Sequence, residues 1–400
     1  MKQTRKILPV YTSDVSGVCS ALYEMGGMVV MHDPSGCNST YNTHDEIRWY
    51  DKDSLIFISG LTERDAVMGN DEKFIRDVLD TARSLHPAFM AITNSPIPYL
   101  MGTDFPAITR RLERESGIPA FYVPANGMHD YTAGAGKAFE RVAGHLVDPA
   151  ETSRPGSINL LGLTPLDYAA AGSAASLRNA FEAAGFEVLS VWSMGEGADL
   201  KQIRRSGEAA VNVVVSSAGL GAAKVLQARF GTPYVVGTPA GGFTEILMRE
   251  IRDMVRGGTD EQPDEAGAGW CRTAYLHVPR AETFSCGSDA ASAPVGSMIT
   301  LVGEPVIMGS LAAAIRLKYG RETQVVCPTE QTGGLLRKGD LIVHGEEETQ
   351  EVLAGACCVI ADPFYQWICP PGTEFYPLPT LSLSGRSHLK ETINLSEVRI

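Results

Sequence analysis

Short apolar runs alternate with amphipathic stretches along almost the whole chain, and this alternation most limits what it can fold into. Residues 54–59, 88–93 and 120–123 read as strands, with helical spacing at 71–85, 105–116 and 134–147. A polar stretch at 149–157 precedes strands at 158–163, 187–192, 210–215 and 234–236, with helices at 173–184, 199–205 and 218–230. After a Gly-, Asp- and Glu-rich connection at 257–269 come strands at 298–302, 322–327, 340–344 and 357–360, with helices at 309–319 and 347–353. The tail from 370 reads as irregular. Strand–helix–strand repetition predicts parallel sheets covered by helices. The expected fold is α/β, with three Rossmann-like, doubly wound units around a central cleft. They are placed at 1–152, 153–260 and 261–400, because 400 residues exceed one ordinary core.

The composition removes several classes of function. A formal charge of −13 argues against nucleic acid as a ligand, since phosphate binding needs a basic face. No apolar run reaches the ~20 residues that span a bilayer. The basic start, Met1 to Lys6, is followed by too short an apolar stretch for a secretory leader. A cytoplasmic protein with its eight cysteines mostly reduced is therefore expected. No unit carries a dinucleotide glycine fingerprint or a phosphate loop. Gly134-Ala135-Gly136-Lys137 lacks the spacing and the following Ser/Thr, and reads as a helix start.

Two cysteines stand in settings that a plain core does not call for. Cys37 closes His32-Asp33-Pro34-Ser35-Gly36-Cys37 directly after an apolar run, on the turn that a strand delivers to the ligand side of an open α/β sheet. Cys19 lies in Ser16-Gly17-Val18-Cys19, which reads as a small-residue turn before a helix at 21–25. Thiolates on two such turns suit an iron–sulfur cluster or another soft metal site. Against this stands the bland alternative, since a free cysteine is commonly a small buried hydrophobe. Cys357 and Cys358 sit in a strand-like run and read as core, as does Cys327 at a strand end; Cys271, Cys286 and Cys369 lie in less regular regions.

Proton-active groups gather nearby. Asp33 is either an acid on the cluster turn or the turn's cap. His44-Asp45-Glu46 is either a proton source or a helix start with solvated charges. His129-Asp130-Tyr131 follows a strand and is a substrate-side candidate, with an ordinary polar loop as its alternative.

Taken in order, these segments resemble the nitrogenase component 1 family and its tetrapyrrole-reducing members. The 32–37 turn resembles the family's His-Gly-Pro-x-Gly-Cys turn, and Gly17-Val18-Cys19 resembles its first cluster cysteine. Residues 93–104 resemble the segment bearing the third, with Ser95 and Pro96 where that cysteine would fall. Residues 211–216 and 229–234 resemble the second domain. The cysteine that holds the nitrogenase cofactor is matched by about Ser216, and 369–384 offers no histidine as its second ligand. These departures argue against dinitrogen reduction.

What the resemblance implies is a catalytic component that takes electrons from a separate ATP-dependent iron–sulfur reductase and passes them to an unsaturated substrate such as a tetrapyrrole. It implies one [4Fe–4S] cluster shared between two chains, with Cys19 and Cys37 of each supplying four thiolates in a homodimer, or half that set in a heterodimer with a paralogue. Gly36 and Ser95 belong to its surroundings. Asp33, His44 and His129 become the candidate acids. Two alternatives remain open: a metallocluster scaffold of the same family, and a non-enzymatic small-ligand-binding protein.

Overall fold

A computed structural model describes residues 5–34, 36, 46–256, 271–278 and 298–397. Three sheets form its frame. The first holds β1 (Met28–His32), β2 (Leu55–Ile58), β3 (Met90–Asn94) and β4 (Ala120–Tyr122) in the order β2-β1-β3-β4. The second holds β5 (Arg154–Leu163), β6 (Glu187–Ser193), β7 (Ala209–Val214), β8 (Tyr234–Val236) and β9 (Cys271–Thr273), ordered β6-β5-β7-β8-β9. The third holds β10 (Ile299–Val302), β11 (Thr323–Cys327), β12 (Leu341–Ile342), β13 (Cys358–Ala361) and β14 (Glu374–Pro377), ordered β12-β11-β10-β13-β14. Every ladder between these strands is parallel. The doubly wound α/β expectation is met.

Around the first sheet lie α1 (Asp14–Leu22), α2 (Glu63–Met68), α3 (Asp71–Leu85), α4 (Pro96–Met101), α5 (Phe105–Ser116) and α6 (Tyr131–His145). The second carries α7 (Ser173–Ala183), α8 (Leu200–Arg204), α9 (Leu220–Phe230) and α10 (Phe243–Val255). The third carries α11 (Pro305–Tyr319), α12 (Gly345–Leu353) and α13 (Leu381–Ser384). Side chains alternate across β1 as a strand's period of two requires: Met28 and Val30 pack under α3 and α5, Val29 and Met31 in the core that α1 and α6 share. α3 shows why such a helix forms. Its Phe74, Ile75, Val78, Leu79 and Ala82 make one apolar face, with Asp71 and Glu72 at the positive end of its dipole.

One contiguous core runs from the first sheet through α6 into the other two, joining Phe139, Leu160, Val213 and Val306. The three units are thus held against each other by apolar packing as well as by the connections between them.

Three local readings are corrected. Ser16-Gly17-Val18-Cys19 is the interior of α1, not a turn. Gly17 and Gly134 are there because α1 and α6 cross so closely that a Cβ at either would overlap the other helix's backbone. α10 forms where no helix is expected from the sequence, although Phe243, Leu247, Met248, Ile251 and Met254 line its buried face. The tail is not irregular: β14 adds to the sheet edge, where Pro377 is tolerated, and α13 folds back toward the centre. β9 also extends the second sheet beyond residue 260.

Candidate functional site

In open α/β sheets, ligands bind beyond the carboxyl ends of the strands where the winding reverses. Here the reversals fall between β1 and β3, between β5 and β7, and between β10 and β13. A buried carboxyl group follows one of the strands at each. Asp33 follows β1, Asp167 lies just beyond β5, Glu304 follows β10 and Asp362 follows β13; none of the four is more than 6% exposed.

These groups tie the units together. Asp130, capping α6, accepts Thr132 N–H at 2.8 Å through Oδ1 and Glu330 N–H at 2.6 Å through Oδ2, joining the first unit to the third. Tyr131 donates its hydroxyl to Asp167 Oδ1 at 2.5 Å, joining the first to the second. Glu304 accepts Ser217 N–H at 2.7 Å and Ile307 N–H at 2.8 Å, joining the third to the second. Burial, then the charge of Glu304, pushes the Asp167 carboxyl well above its ordinary range. Burial raises Glu304 also, against the pull of its backbone donors.

Next to this junction the N-terminal segment crosses α13, where Tyr11 and Thr12 donate their N–H groups to Ser382 O at 3.1 Å each. An open cavity of about 600 Å³ lies here, lined by Tyr11, Tyr50, Ser384, Gly385, Arg386 and Ser387. The Arg386 guanidinium stands 5.6 Å from the Tyr50 ring centre. Gly385 takes φ of 57°, and a Cβ there would press on the Tyr11 ring, so a glycine keeps the wall in place. The lining offers a cation, two aromatic faces and hydroxyls to a ligand.

The sequence-derived candidates divide. Asp33 is fully buried beside the end of β1; its N–H reaches Ser59 Oγ at 3.1 Å and its carbonyl accepts Leu61 N–H at 2.9 Å. Ser95 caps the start of α4 at the same reversal; it is fully buried and its hydroxyl has no partner among the described residues. Gly36 is exposed. Cys37 and His44 lie outside the described residues, as does Cys286. Asp130 and Tyr131 reach the junction, but His129 turns outward, with Nδ1 2.9 Å from Glu330 Oε2 on the surface between the first and third units.

Cys19 is fully buried in the core between α1 and α6, and burial, then Glu46, pushes its thiol far up. Its neighbour Ser20 is held by Arg48, which donates to Ser20 O at 2.8 Å and pairs with Glu46 at 2.7 Å. A thiolate that holds a cluster shared with a second chain must be reachable from the surface. As placed, Cys19 does not fit that role, and among the described residues no group of three or more His, Cys, Asp or Glu could hold a metal ion. Among the other cysteines, Cys327 and Cys358 are buried as expected, whereas Cys357 is exposed and corrects its core assignment. Adjacent strand residues face opposite ways, and Cys357 precedes the first paired residue of β13.

Sequence reasoning missed Asp167, Glu304 and Asp362. The available signal was a carboxylate within a few residues of the C-terminal end of a predicted strand, in Thr164-Pro165-Leu166-Asp167, Gly303-Glu304 and Ala361-Asp362.

Three parallel sheets whose winding reversals each carry a buried carboxyl group define a three-unit α/β protein. The family model for nitrogenase component 1 type oxidoreductase matches residues 13–352, and the chain belongs to that family. It is 25% identical over 244 residues to a component of the light-independent protochlorophyllide reductase of Synechococcus sp. (strain JA-3-3Ab), covering 56% of this chain and 46% of that protein. It is 26% identical over 184 residues to nitrogenase iron-molybdenum cofactor biosynthesis protein NifE of Nostoc sp. (strain PCC 7120 / SAG 25.82 / UTEX 2576), covering 45% and 37%. The chain spans about half the length of the curated relatives it matches. A solved structure titled nitrogenase Cp1 at pH 6.5 shares the fold, with a TM-score of 0.67 at 15% identity, over 100% of this chain and 92% of that one.

Proposed function

We propose that the chain is the substrate-holding component of a two-component, nitrogenase-like reductase acting on an unsaturated molecule of the tetrapyrrole class. The observation that carries this reading is the junction where Asp130, Tyr131, Asp167 and Glu304 join the three units, near a cavity with a cation and two aromatic walls. Family membership and the similarity to a protochlorophyllide reductase component support it. In this reading a separate ATP-dependent iron–sulfur reductase docks transiently and supplies single electrons. An iron–sulfur cluster at the face where two chains meet, a homodimer or a pair of paralogues, takes a ligand from Cys37. Such a cluster supplies electron transfer. The chain's own residues bind the substrate, exclude water and hold protons: Arg386 pairs with a carboxylate of the ligand, Tyr11 and Tyr50 flank its plane, and the buried acids keep protons at hand.

The four-thiolate count from Cys19 and Cys37 of two chains depends on a thiol buried in α1. We therefore place Cys37 first and Cys19 outside the ligand set. His129, exposed and paired with Glu330, is set aside as an acid in favour of the junction groups. His44 and Asp33 remain candidates beside the Cys37 turn.

The similarity to a cofactor biosynthesis protein favours a second reading, a metallocluster scaffold without turnover. Anaerobically purified protein, supplied with an iron–sulfur reductase, ATP and a carboxylate-bearing tetrapyrrole, separates the two. Bleaching of the tetrapyrrole's long-wavelength absorption supports the reductase; a retained cluster with no spectral change supports the scaffold.

A further inference from the structure

We propose that the exposed apolar face formed by α2, α4 and the turn after β4 is where a second copy of this chain docks. α4, Pro96-Ile97-Pro98-Tyr99-Leu100-Met101, carries no charged side chain and buries only Pro98. α2 buries none of its residues and ends in Val67 and Met68. Met128 stands on the turn after β4. Val67, Met68, Leu100 and Met128 are 72–81% exposed, with Tyr99 at 55% and Ile97 at 41%.

The winding puts these residues together. β1 lies between β2 and β3, and the three strand ends are tied: Leu61 N–H donates to Asp33 O at 2.9 Å and Ser95 N–H to His32 O at 3.3 Å. α2 leaves on one side of the β1 end and α4 on the other. They lead into α3 and α5, which share one apolar cluster under the sheet, and Arg111 of α5 pairs with Glu72 at the start of α3. The turn after β4 reaches α4, since a Cβ at Gly127 would lie 3.1 Å from the Pro96 ring. Single exposed apolar side chains are ordinary, but six at one corner of a sheet do nothing for the fold of one chain.

The size and charge of the face select its occupant. The six residues leave about 750 Å² of largely apolar surface, near the ~800 Å² that each partner buries in a standard interface and above the ~300–600 Å² of the largest patch on a typical monomer. A chain of net charge −13 is repelled by its own copy over most of its surface, so the two can meet only across a face without excess charge. This face meets that condition. α4 is uncharged, Asp65 of α2 is matched by Lys73 at 2.9 Å, and Glu63 and Arg64 offset each other. A twofold axis lays the patch against itself, apolar on apolar, the composition of homodimer interfaces. β1, the strand that precedes Cys37 in sequence, ends between the two helices, so this is also the face across which two chains would share a cluster. That last assignment rests on the reductase reading; the association does not.

The test is sedimentation equilibrium of the full chain at micromolar concentration, with a chelator present so that no cluster bridges the chains. A dimer is expected. Leu100→Asp and Met68→Asp, both at exposed positions and checked for folding by circular dichroism, should each weaken it by at least ~30-fold, the loss that marks a central interface contact. Trp367→Asp, at a position 70% exposed on the third unit, should leave the dimer intact. A monomeric wild type, or a dimer that both face variants keep, overturns the proposal. If those variants keep the dimer but no longer bleach the tetrapyrrole, the face belongs to the reductase instead. Absence of iron in the anaerobically purified wild type would sink the reductase reading and leave the dimer result standing.

Discussion

His32 gives the sharpest quantitative prediction about the edge of the first sheet. It ends β1 with its ring 4.2 Å from Phe74 and 5.9 Å from Phe105, and its Nδ1 2.8 Å from Ser59 Oγ. Burial, partly opposed by the charge of Asp65, lowers its pKa from 6.5 to about 4. The difference, at about 1.4 kcal/mol per unit, amounts to roughly 3 kcal/mol of folding free energy. The unfolded chain binds this proton more tightly than the folded one. The stability is therefore complete above pH 6.5 and is lost as the pH falls toward about 4. His32→Phe keeps a ring between Phe74 and Phe105 and removes the titration. Urea unfolding of both proteins at pH steps across that range should show the wild type losing about 3 kcal/mol more than the variant. Parallel stability curves would refute the claim that the imidazole is held neutral. They would also make His32 available as an acid beside Asp33, a role that its burial in the neutral form denies it.

Two further outcomes follow from packing and exposure. Gly134→Ala gains about 1 kcal/mol of helix propensity but drives a Cβ into the Asp14 backbone, so it should destabilise by about 1–3 kcal/mol net in urea unfolding; a more stable variant would contradict the close crossing of α1 and α6. His129→Ala breaks only a half-exposed pair with Glu330 and should change stability by less than about 1 kcal/mol while leaving tetrapyrrole bleaching intact. Loss of bleaching would return His129 to the acids.

The alternation of strands and helices made most of the frame legible, and several elements, such as α3 and α5, fall where helical spacing puts them. What misled was glycine. Gly17 reads as a turn residue, yet its lack of a side chain serves helix packing, and only the partner helix reveals that. α10 follows Gly241-Gly242 and was not read, although its buried Phe243, Leu247, Met248, Ile251 and Met254 recur at helical spacing. The His32-Asp33-Pro34-Ser35-Gly36-Cys37 motif was legible because its residues are contiguous. Asp167 and Glu304 were not, because the contacts that bring them together with Tyr131 and Ser217 exist only once the three sheets are packed, and Asp362 is seated by Phe364 and Thr380 beyond its own strand. Arg48 is similar: its bonds to Ser20 O and Ser193 O join α1 to β6 across a sequence gap no local pattern spans.

The most direct test is iron and acid-labile sulfide analysis of protein purified without oxygen, with the wild type beside Cys37→Ala and Cys19→Ala. The expected results are a brown wild type, loss of iron in Cys37→Ala and retention of iron in Cys19→Ala, whose thiol is buried in α1. A colourless wild type without iron would contradict the metallocluster reading. Loss of iron in a folded Cys19→Ala would contradict the placement of Cys19 outside the ligand set.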